Sequence, residues 1–364
     1  MQTIAEGLVV LDTDGKLLFM NPAASKMLGW SEGELRGKAI QPVIHFQRAD
    51  GSDLPESESE LLRIREGRVV RVSDDAFTCK NGSIIPVSYS AAPLMSGASV
   101  SGAVVVFRDT TAEKAEHIHA QRELAALTWV GRTRDALDEG RLVLYAQPIL
   151  TVDRAAHGEE LLVRMIGRAG DVILPEAFLP SAEKYGLIAE IDQWVIKQAV
   201  ARAATGQRVE ANLSARSVGN FALLPLIERE LRDSGADPAN LVFEITETAL
   251  MGDIEKGEAF AHGLADIGCG LALDDFGTGF GSFTYLKALP IGYLKIDIEF
   301  VRDLDSSPAN QHLVKAIVNL ARSFGHRTIA EGVEDERTLE LLREYGVDFA
   351  QGYLLGRPAP IDSA

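Results

Sequence analysis

From about residue 136 onward, short apolar runs alternate with longer amphipathic stretches, and this rhythm restricts the fold more than any other feature. Helix-like segments separate most of the runs, and several segments end at a glycine, as helices commonly do. The runs are LVLYAQPI, EELLVRM, VEANLS, LVFEITE, LALDDF, YLKIDI, TIAEGVE and FAQGYLL. Eight strands alternating with helices over about 230 residues predict a TIM-type (β/α)8 barrel. A doubly wound open sheet is the alternative.

The first two runs break this alternation. Only LTVDRAAHG separates them, which is too short for the helical crossover that parallel neighbours need. We therefore expect the first strand pair of the barrel to be antiparallel.

Each apolar run carries a charged or amide side chain at or near its C-terminal half. These residues are Gln147, Glu160, Asn212, Glu244, Asp274 with Asp275, Lys295, Glu331 and Gln351. In a barrel such strand ends converge on the face where catalysis takes place. Five carboxylates near one another repel and rise in pKa unless cations neutralise them. The pattern therefore predicts a site for divalent metal.

The ligand chemistry narrows the choice of metal. Oxygen donors without histidine or cysteine favour Mg²⁺ or Mn²⁺ over zinc. The adjacent pair Asp274 and Asp275 predicts two ions, roughly 3.5 to 4 Å apart, as in two-metal phosphoryl chemistry. An enolase-like barrel, with a lysine base and Mg²⁺ held by acids, is the alternative that the spacing alone leaves open.

The first hundred or so residues predict a different architecture. GLVVLDTDGKLLFMN and FTCKNGSIIPVSYSAAPL are apolar pairs about the turns TDG and KNG, and a third pair brackets SGASVSG. Short helix-like pieces, NPAASKMLG and SESELLRIREG, lie between them. This order predicts an α+β unit with one antiparallel sheet.

GLVVLDTDGKLLFMNPAASKMLGWSEGELRGK and GAVVVFRDTTAEKAE are similar to the opening and closing segments of a PAS sensor domain, over residues 1–112. The resemblance leaves the PAS ligand unknown. His45 is a candidate haem ligand or a structural histidine, and Cys79 is most simply a packed thiol.

Residues 113–136 form a connector with no proline and one glycine, Gly131, and we expect them to be helical. Ile118, Leu124, Leu127 and Val130 give an apolar stripe too irregular for a coiled coil. The connector is either a packed linker or a dimer helix. Because PAS domains commonly pair through flanking helices, the resemblance implies a homodimer.

The composition excludes several classes of partner. A formal net charge of −17, from 53 acidic and 36 basic residues, argues against a nucleic-acid polymer or a polybasic membrane anchor. Neither a membrane span nor a signal peptide is recognisable, so we expect a cytoplasmic protein. Cys79 and Cys269 are far apart in the sequence, and we expect both to be reduced.

Residues 137–364 resemble the EAL domain family of cyclic di-GMP phosphodiesterases. YAQPI, GEELLVR, NLS, FEITET, DDFGTG, LKID, AEGVE and QGY occur in the family's order. The resemblance implies hydrolysis of cyclic di-GMP to linear pGpG by water attack with two Mg²⁺ or Mn²⁺ ions, tuned by the PAS sensor. A receptor that binds cyclic di-GMP without hydrolysing it is the alternative.

The resemblance also implies roles for individual residues. The first metal would be bound by Glu160, Asn212, Glu244 and Asp274. Asp274 would bridge to a second metal held by Asp275, and Glu331 would bind that metal or act as the base. Lys295 would contact the attacking water or the scissile phosphate, and Glu247 would steady the DDFGTG loop. Substrate-binding positions are Gln147, Leu162, Arg164 and Gln351.

One motif departs from the family pattern, because Glu160-Leu161-Leu162 replaces Glu-Ala-Leu. On a strand the middle residue points to the opposite face from its neighbours. We expect Leu161 to project away from the barrel mouth while Glu160 and Leu162 share its side. The substitution is then compatible with activity.

Overall fold

The computed structural model describes residues 6–55, 68–97, 99–251, 253–277 and 289–361. Two compact units are present, Met1–Leu124 and Ala125–Ala364. The expected helix over 57–67 and the glycine-rich segment that begins at Thr278 lie outside the described residues. The boundaries at 112/113 and 136/137 stay a prediction.

The N-terminal unit contains one five-stranded antiparallel sheet in the order β2-β1-β5-β4-β3. Its strands are β1 Gly7–Leu11, β2 Leu17–Met20, β3 Val70–Thr78, β4 Ile84–Ser96 and β5 Ser99–Asp109. Its short helices are α1 Pro22–Leu28, α2 Glu32–Leu35 and α3 Gln41–Ile44. The predicted α+β class and the three hairpins are confirmed.

Local sequence chemistry sets these elements. The turn between β1 and β2 closes with the Gly15 amide donating to the Asp12 carbonyl at 3.1 Å. Asn21 caps α1, because its side chain accepts a hydrogen bond from the Ala24 amide at 2.8 Å. The aromatic rings of Phe77 and Phe107 meet edge to face in the core.

The two residues of this unit with open roles are both buried. His45 Nε2 lies 2.9 Å from Asp75 Oδ2, so the histidine has a carboxylate partner. Cys79 is a free thiol whose Sγ lies 3.3 Å from the Met27 carbonyl. Both arrangements are those of packed structural side chains.

Helix α4, Thr111–Asp138, contains the predicted connector. Ile118, Leu124 and Leu127 are exposed on it, at 48%, 67% and 49% of their surface.

The C-terminal unit is a closed barrel of eight strands surrounded by helices. The barrel strands are β6 Leu142–Thr151, β7 Ala156–Ile166, β9 Val209–Asn212, β10 Leu241–Thr246, β11 Gly270–Phe276, β12 Tyr293–Ile296, β13 Arg327–Ala330 and β14 Phe349–Ala350. Two short strands extend the sheet, β8 Val172–Ile173 and β15 Ala359–Pro360.

The helices of this unit are α5 Pro175–Tyr185, α6 Ile188–Ala203, α7 Ala215–Val218, α8 Leu223–Ser234, α9 Glu247–Met251, α10 Ile254–Ile267, α11 Ile298–Val301, α12 Pro308–Phe324 and α13 Glu336–Tyr345. Pro238–Asn240 form a 3₁₀ turn before β10. As predicted, several helices end at glycine, for example α8 at Gly235 and α13 at Gly346. No helix in the described ranges is long and apolar enough to cross a bilayer.

The barrel closes through β6, which pairs antiparallel with both β7 and β14. The other neighbouring barrel strands, from β7 through β14, are parallel. The predicted TIM-type barrel with an antiparallel first strand pair is therefore confirmed.

Two apolar layers stabilise the barrel. In the larger layer, strand side chains such as Leu161 and Phe243 belong to one buried apolar cluster with helix side chains such as Phe260 of α10. A smaller buried cluster contains Ile149, Val242, Ala272, Tyr293, Ile329 and Phe349. Together they fix the strands whose ends carry the polar residues.

Strands β1 and β5 of the N-terminal unit approach closely at Gly102, where we expect that glycine is required. A Cβ at Gly102 would lie 2.3 Å from the Leu11 carbonyl oxygen, a backbone atom that cannot move alone. Gly102→Ala should destabilise this unit by about 1–3 kcal/mol, as overpacking does. Amide hydrogen exchange read by mass spectrometry should show faster exchange in β1 and β5 and unchanged exchange in the barrel.

Gly33→Ala is the matched control, because no atom lies within 4 Å of its added Cβ. Gly33 is in α2, where alanine has the higher helix propensity, so exchange should be equal or slower. Equal exchange in both variants would contradict the close approach.

Candidate active site

At the C-terminal ends of the parallel strands, one buried ammonium lies among four carboxylates. Lys295 Nζ is 2.5 Å from Glu244 Oε2 and 2.6 Å from Glu331 Oε1. It is also 3.6 Å from Asp274 Oδ1 and 3.8 Å from Glu160 Oε2. These five side chains, which we call the carboxylate ring, come from β7, β10, β11, β12 and the segment after β13. The predicted convergence of these strand ends is therefore observed.

Burial and neighbouring charges shift the pKa values of the ring side chains. Burial disfavours the charged lysine, but the carboxylates, Glu160 foremost, raise the pKa of Lys295 well above its usual value. Burial, and then the negative charge of Glu160, raise the pKa of Glu244 well above its usual value. The lysine stays a cation, and the carboxylates are more numerous than it can neutralise.

An amide network holds Glu160 in place. Asn212 Nδ2 donates to Glu160 Oε1 at 2.7 Å, and Gln351 Nε2 donates to Glu160 Oε2 at 2.6 Å. The same Gln351 nitrogen donates to Gln147 Oε1 at 3.0 Å. Gln147 in turn donates to the Gly356 carbonyl at 3.0 Å. Each oxygen of Glu160 therefore has a fixed direction.

The pair Asp274 and Asp275 lies where the strand becomes irregular. The pairing of β11 with β12 shifts register between Leu273 and Phe276. Asp275 has a φ of 53°, in the left-handed region, and its amide donates to Asp274 Oδ1 at 3.0 Å. The backbone turn frees the two adjacent carboxylates from the strict alternation of a strand.

Two carboxyl groups at the mouth have pKa values closer to neutrality than usual. Burial, the Asp274 charge and a hydrogen bond with Asp297 raise the pKa of Asp275 to about 6. A hydrogen bond connects the carboxyl groups of Asp275 and Asp297. Burial raises the pKa of Glu331 to about 8, although Lys295 opposes the rise.

A cavity of about 430 Å³ opens above the carboxylate ring, a size suited to a small-molecule ligand. Four acids line it, Glu160, Asp274, Glu331 and Glu334. The other side chains that line it include Gln147, Gln351, Leu162, Ile298, Tyr353 and Arg302. The ring therefore forms one end of a ligand-sized space.

The donor set fits a hard divalent cation by its chemistry. Glu160, Glu244, Asp274 and Asn212 offer oxygen donors, the type that Mg²⁺ and Mn²⁺ prefer. Glu244 Oε1 is buried and has no hydrogen-bond partner among the residues that the structure describes. In the part of the chain that the structure describes, no three acidic, histidine or cysteine side chains are placed to hold a metal ion. Glu244 and Glu331 are directed at Lys295.

The Glu160-Leu161-Leu162 motif alternates between the cavity and the core. Glu160 and Leu162 line the cavity, whereas Leu161 is buried in the outer core, as expected for the Glu-Leu-Leu motif.

Arg164 does not line the cavity among the residues that the structure describes. Its Nη1 donates to the Val163 carbonyl at 2.8 Å, and its guanidinium lies over the Tyr145 ring. Glu247 begins α9, and the loop it was expected to steady lies outside the described residues.

Sequence reasoning missed two acids near the ring. Asp297, two residues after Lys295, caps α11 and is the hydrogen-bond partner of Asp275. Glu210 is fully buried, two residues before Asn212, and its carboxyl contacts Glu244. The signal for Glu210 was available, because residues i and i+2 of a strand face the same side.

Comparisons with known proteins match these two units. A family model of the EAL domain matches residues 131–358, and one of the PAS fold matches residues 1–110. The cyclic di-GMP phosphodiesterase PdeB of Shewanella oneidensis is 33% identical over 243 residues, which are 65% of this chain and 28% of that protein. The cyclic di-GMP phosphodiesterase PdeF of Escherichia coli is 34% identical over 251 residues, 67% of this chain and 34% of that protein. The chain therefore spans about a third of the length of such relatives.

Solved structures with the same barrel include two complexes. The PaMucR phosphodiesterase in complex with c-di-GMP is 34% identical, with a TM-score of 0.62 over 65% of this chain and 98% of that chain. The FimX EAL domain from Pseudomonas aeruginosa bound to c-di-GMP is 29% identical, with a TM-score of 0.61 over 64% of this chain and 96% of that chain.

The raised pKa values predict that divalent cation binding releases protons. Glu331 and Asp275, with pKa values of about 8 and about 6, are partly protonated near neutral pH. Because protons compete with the cation, affinity for Mn²⁺ should rise from pH 6 to pH 8, by up to about tenfold per pH unit for each proton released. Calorimetric titration in two buffers of different ionisation enthalpy measures both quantities. Equal affinity at pH 6 and pH 8 would refute this prediction.

Proposed function

This chain belongs to the EAL domain family, with a PAS fold preceding the barrel, and on that premise we propose that it is a cyclic di-GMP phosphodiesterase regulated by its PAS domain. The reaction is hydrolysis to linear pGpG. Water attacks one phosphorus in line, and the bond from that phosphorus to one ribose 3′ oxygen breaks. The observation that carries the proposal is the carboxylate ring at the end of a ligand-sized cavity.

The ring, together with the neighbouring Asn212 and Asp275, is proposed to supply the metal ligands that such chemistry needs. Glu160, Asn212, Glu244 and Asp274 would hold a first Mg²⁺ or Mn²⁺ ion, and Asp274 with Asp275 a second. When bound, two such ions activate water and stabilise the charge that develops on phosphorus. The hydrogen bonds from Asn212 and Gln351 fix the Glu160 carboxylate before substrate arrives.

Glu331 is the base in this proposal. Its pKa, raised to about 8, lies near working pH, where a general base is most effective. Lys295 Nζ, at 2.6 Å from Glu331 Oε1, orients that carboxylate and stabilises its charged form. A compact ammonium at this place also favours the negative charge on the phosphate in the transition state.

The amide and apolar walls of the cavity bind the substrate. Gln147 and Gln351 lie at the ring end, and Leu162 provides an apolar surface beside Glu160. Arg164 is proposed to face a phosphate through N–H groups other than the one that Nη1 donates to the Val163 carbonyl. Glu247 is proposed to support the loop after Asp275.

Regulation by the PAS unit is proposed to act through α4, the helix that begins in the first unit and ends in the second. The exposed Ile118, Leu124 and Leu127 on this helix support a homodimer, because pairing would remove their apolar surface from water.

Asp275→Asn should nearly abolish turnover while the protein stays folded. Removal of this charge takes away a proposed metal ligand, so the rate of pGpG formation should fall below about a tenth of wild type. Chromatography of cyclic di-GMP incubated with the full chain and Mg²⁺ measures the rate.

Asp233→Asn is the control, because Asp233 is an exposed acid on α8. It should turn over cyclic di-GMP at the wild-type rate. A wild-type chain that leaves cyclic di-GMP unaltered at high enzyme concentration would refute the proposed function and favour a receptor.

A charged pair on α4 should disrupt the proposed dimer. Leu124→Glu combined with Leu127→Glu places like charges in the interface, where desolvation and repulsion disfavour pairing. Light scattering after size exclusion should report a dimer for the wild type and a monomer for the variant. Val172→Glu, at another exposed apolar position, should remain a dimer. An unchanged mass for the α4 variant would contradict this interface.

A further inference from the structure

The cavity above the carboxylate ring is unbalanced in charge. Four carboxyl groups line it, and Arg302 is the one cation among the described residues of its wall. Lys295 lies beneath, buried among the acids of the ring. A ligand with several negative charges therefore meets one accessible guanidinium outside the ring.

Arg302 is placed to meet such a ligand. It follows α11, and its backbone amide donates to the Ile298 carbonyl at 2.9 Å, so the position is fixed by the helix. Its side chain is exposed and forms no ion pair with any residue that the structure describes. Other arginines of this unit are engaged, for example Arg337 with Glu340 and Arg343 with Asp153.

Distance from the ring decides which part of the substrate Arg302 meets. No carboxylate of the ring lies within ion-pair distance of Arg302, whereas all four are within 3.8 Å of Lys295. In the proposed function, the phosphodiester that reacts must lie at the ring. Cyclic di-GMP carries a second phosphodiester on the other side of its macrocycle, and this one must lie farther out in the cavity.

We infer that Arg302 is a substrate-binding residue that holds the phosphodiester that is not cleaved. This inference rests on the proposed function for its ligand. Guanidinium forks match two oxygens of a phosphate at once, which gives orientation as well as charge. Glu334 lines the same wall, and the described residues show no ion pair between it and Arg302. Contact between the Arg302 guanidinium and this phosphodiester explains how a dianion enters an acidic cavity.

Equilibrium binding tests the inference without turnover. In the full chain with Asp275→Asn, in which we expect little hydrolysis during the titration, the Kd for cyclic di-GMP is measured by calorimetry with and without Arg302→Gln. Arg302→Gln should raise Kd by at least about tenfold, the scale of a charged bidentate contact. Arg302→Lys should recover part of the loss, because it retains the charge but not the fork.

Arg337→Gln is the matched control, because Arg337 is an exposed arginine of α13 outside the cavity wall. It should leave Kd unchanged. A Kd for Arg302→Gln within twofold of its parent, or equal losses in Arg302→Gln and Arg337→Gln, would overturn the inference. Absence of cyclic di-GMP binding by the Asp275→Asn parent would overturn it as well.

Steady-state kinetics separate this role from general damage. With otherwise wild-type protein, Arg302→Gln should raise KM for cyclic di-GMP by at least about tenfold and leave kcat within about threefold, as loss of uniform binding does. Hydrolysis of bis(p-nitrophenyl) phosphate, which has one phosphodiester, should be unaffected. A parallel loss on both substrates would overturn the inference. Failure of the wild type to hydrolyse cyclic di-GMP would refute the proposed function alone, because the binding experiment still decides the role of Arg302.

Discussion

The contact of Lys295 with four carboxylates is the interaction on which the mouth of the barrel depends. A fully buried ammonium is tolerated only because Glu244 and Glu331 lie within 2.6 Å, with Asp274 and Glu160 close behind. The carboxylates in turn are tolerated because the ammonium and the amides of Asn212 and Gln351 compensate them. The strands must end in register for these contacts to form, so the electrostatics of the site and the closure of the barrel constrain each other.

Much of this arrangement could be predicted from the sequence, because it follows from period and topology. Parallel strands bring their C-terminal ends to one face, so Glu160, Glu244, Asp274 and Lys295 had to converge once the barrel was recognised. The antiparallel first pair followed from the short segment between its strands. The placement of Leu161 behind the mouth followed from alternation alone.

Other features depend on side-chain geometry that no spacing encodes. Asp275 does not follow the alternation of a strand, because the β11–β12 register shifts there and its φ is positive. Two adjacent aspartates in a sequence do not predict either feature. Asp297 caps α11, as its position before the helix indicates, and its carboxyl group also hydrogen-bonds with Asp275. Arg164 matches a family motif, but its guanidinium lies over the Tyr145 ring. Arg302 lies outside the family motifs and lines the cavity. Local rotamer and loop choices decide these cases.

The acidic side chains of the site extend below the mouth of the barrel to Glu210. It is fully buried one strand step beneath Asn212, and burial raises its pKa, so a proton there costs less than a second buried charge beside Glu244. Its two oxygens and Glu244 Oε1 are buried and have no hydrogen-bond partner among the described residues. The other oxygen of Glu244, Oε2, is the one directed at Lys295. The pKa of a ring carboxylate therefore depends partly on a residue that does not line the cavity, because the negative charge of Glu210 contributes to the raised pKa of Glu244.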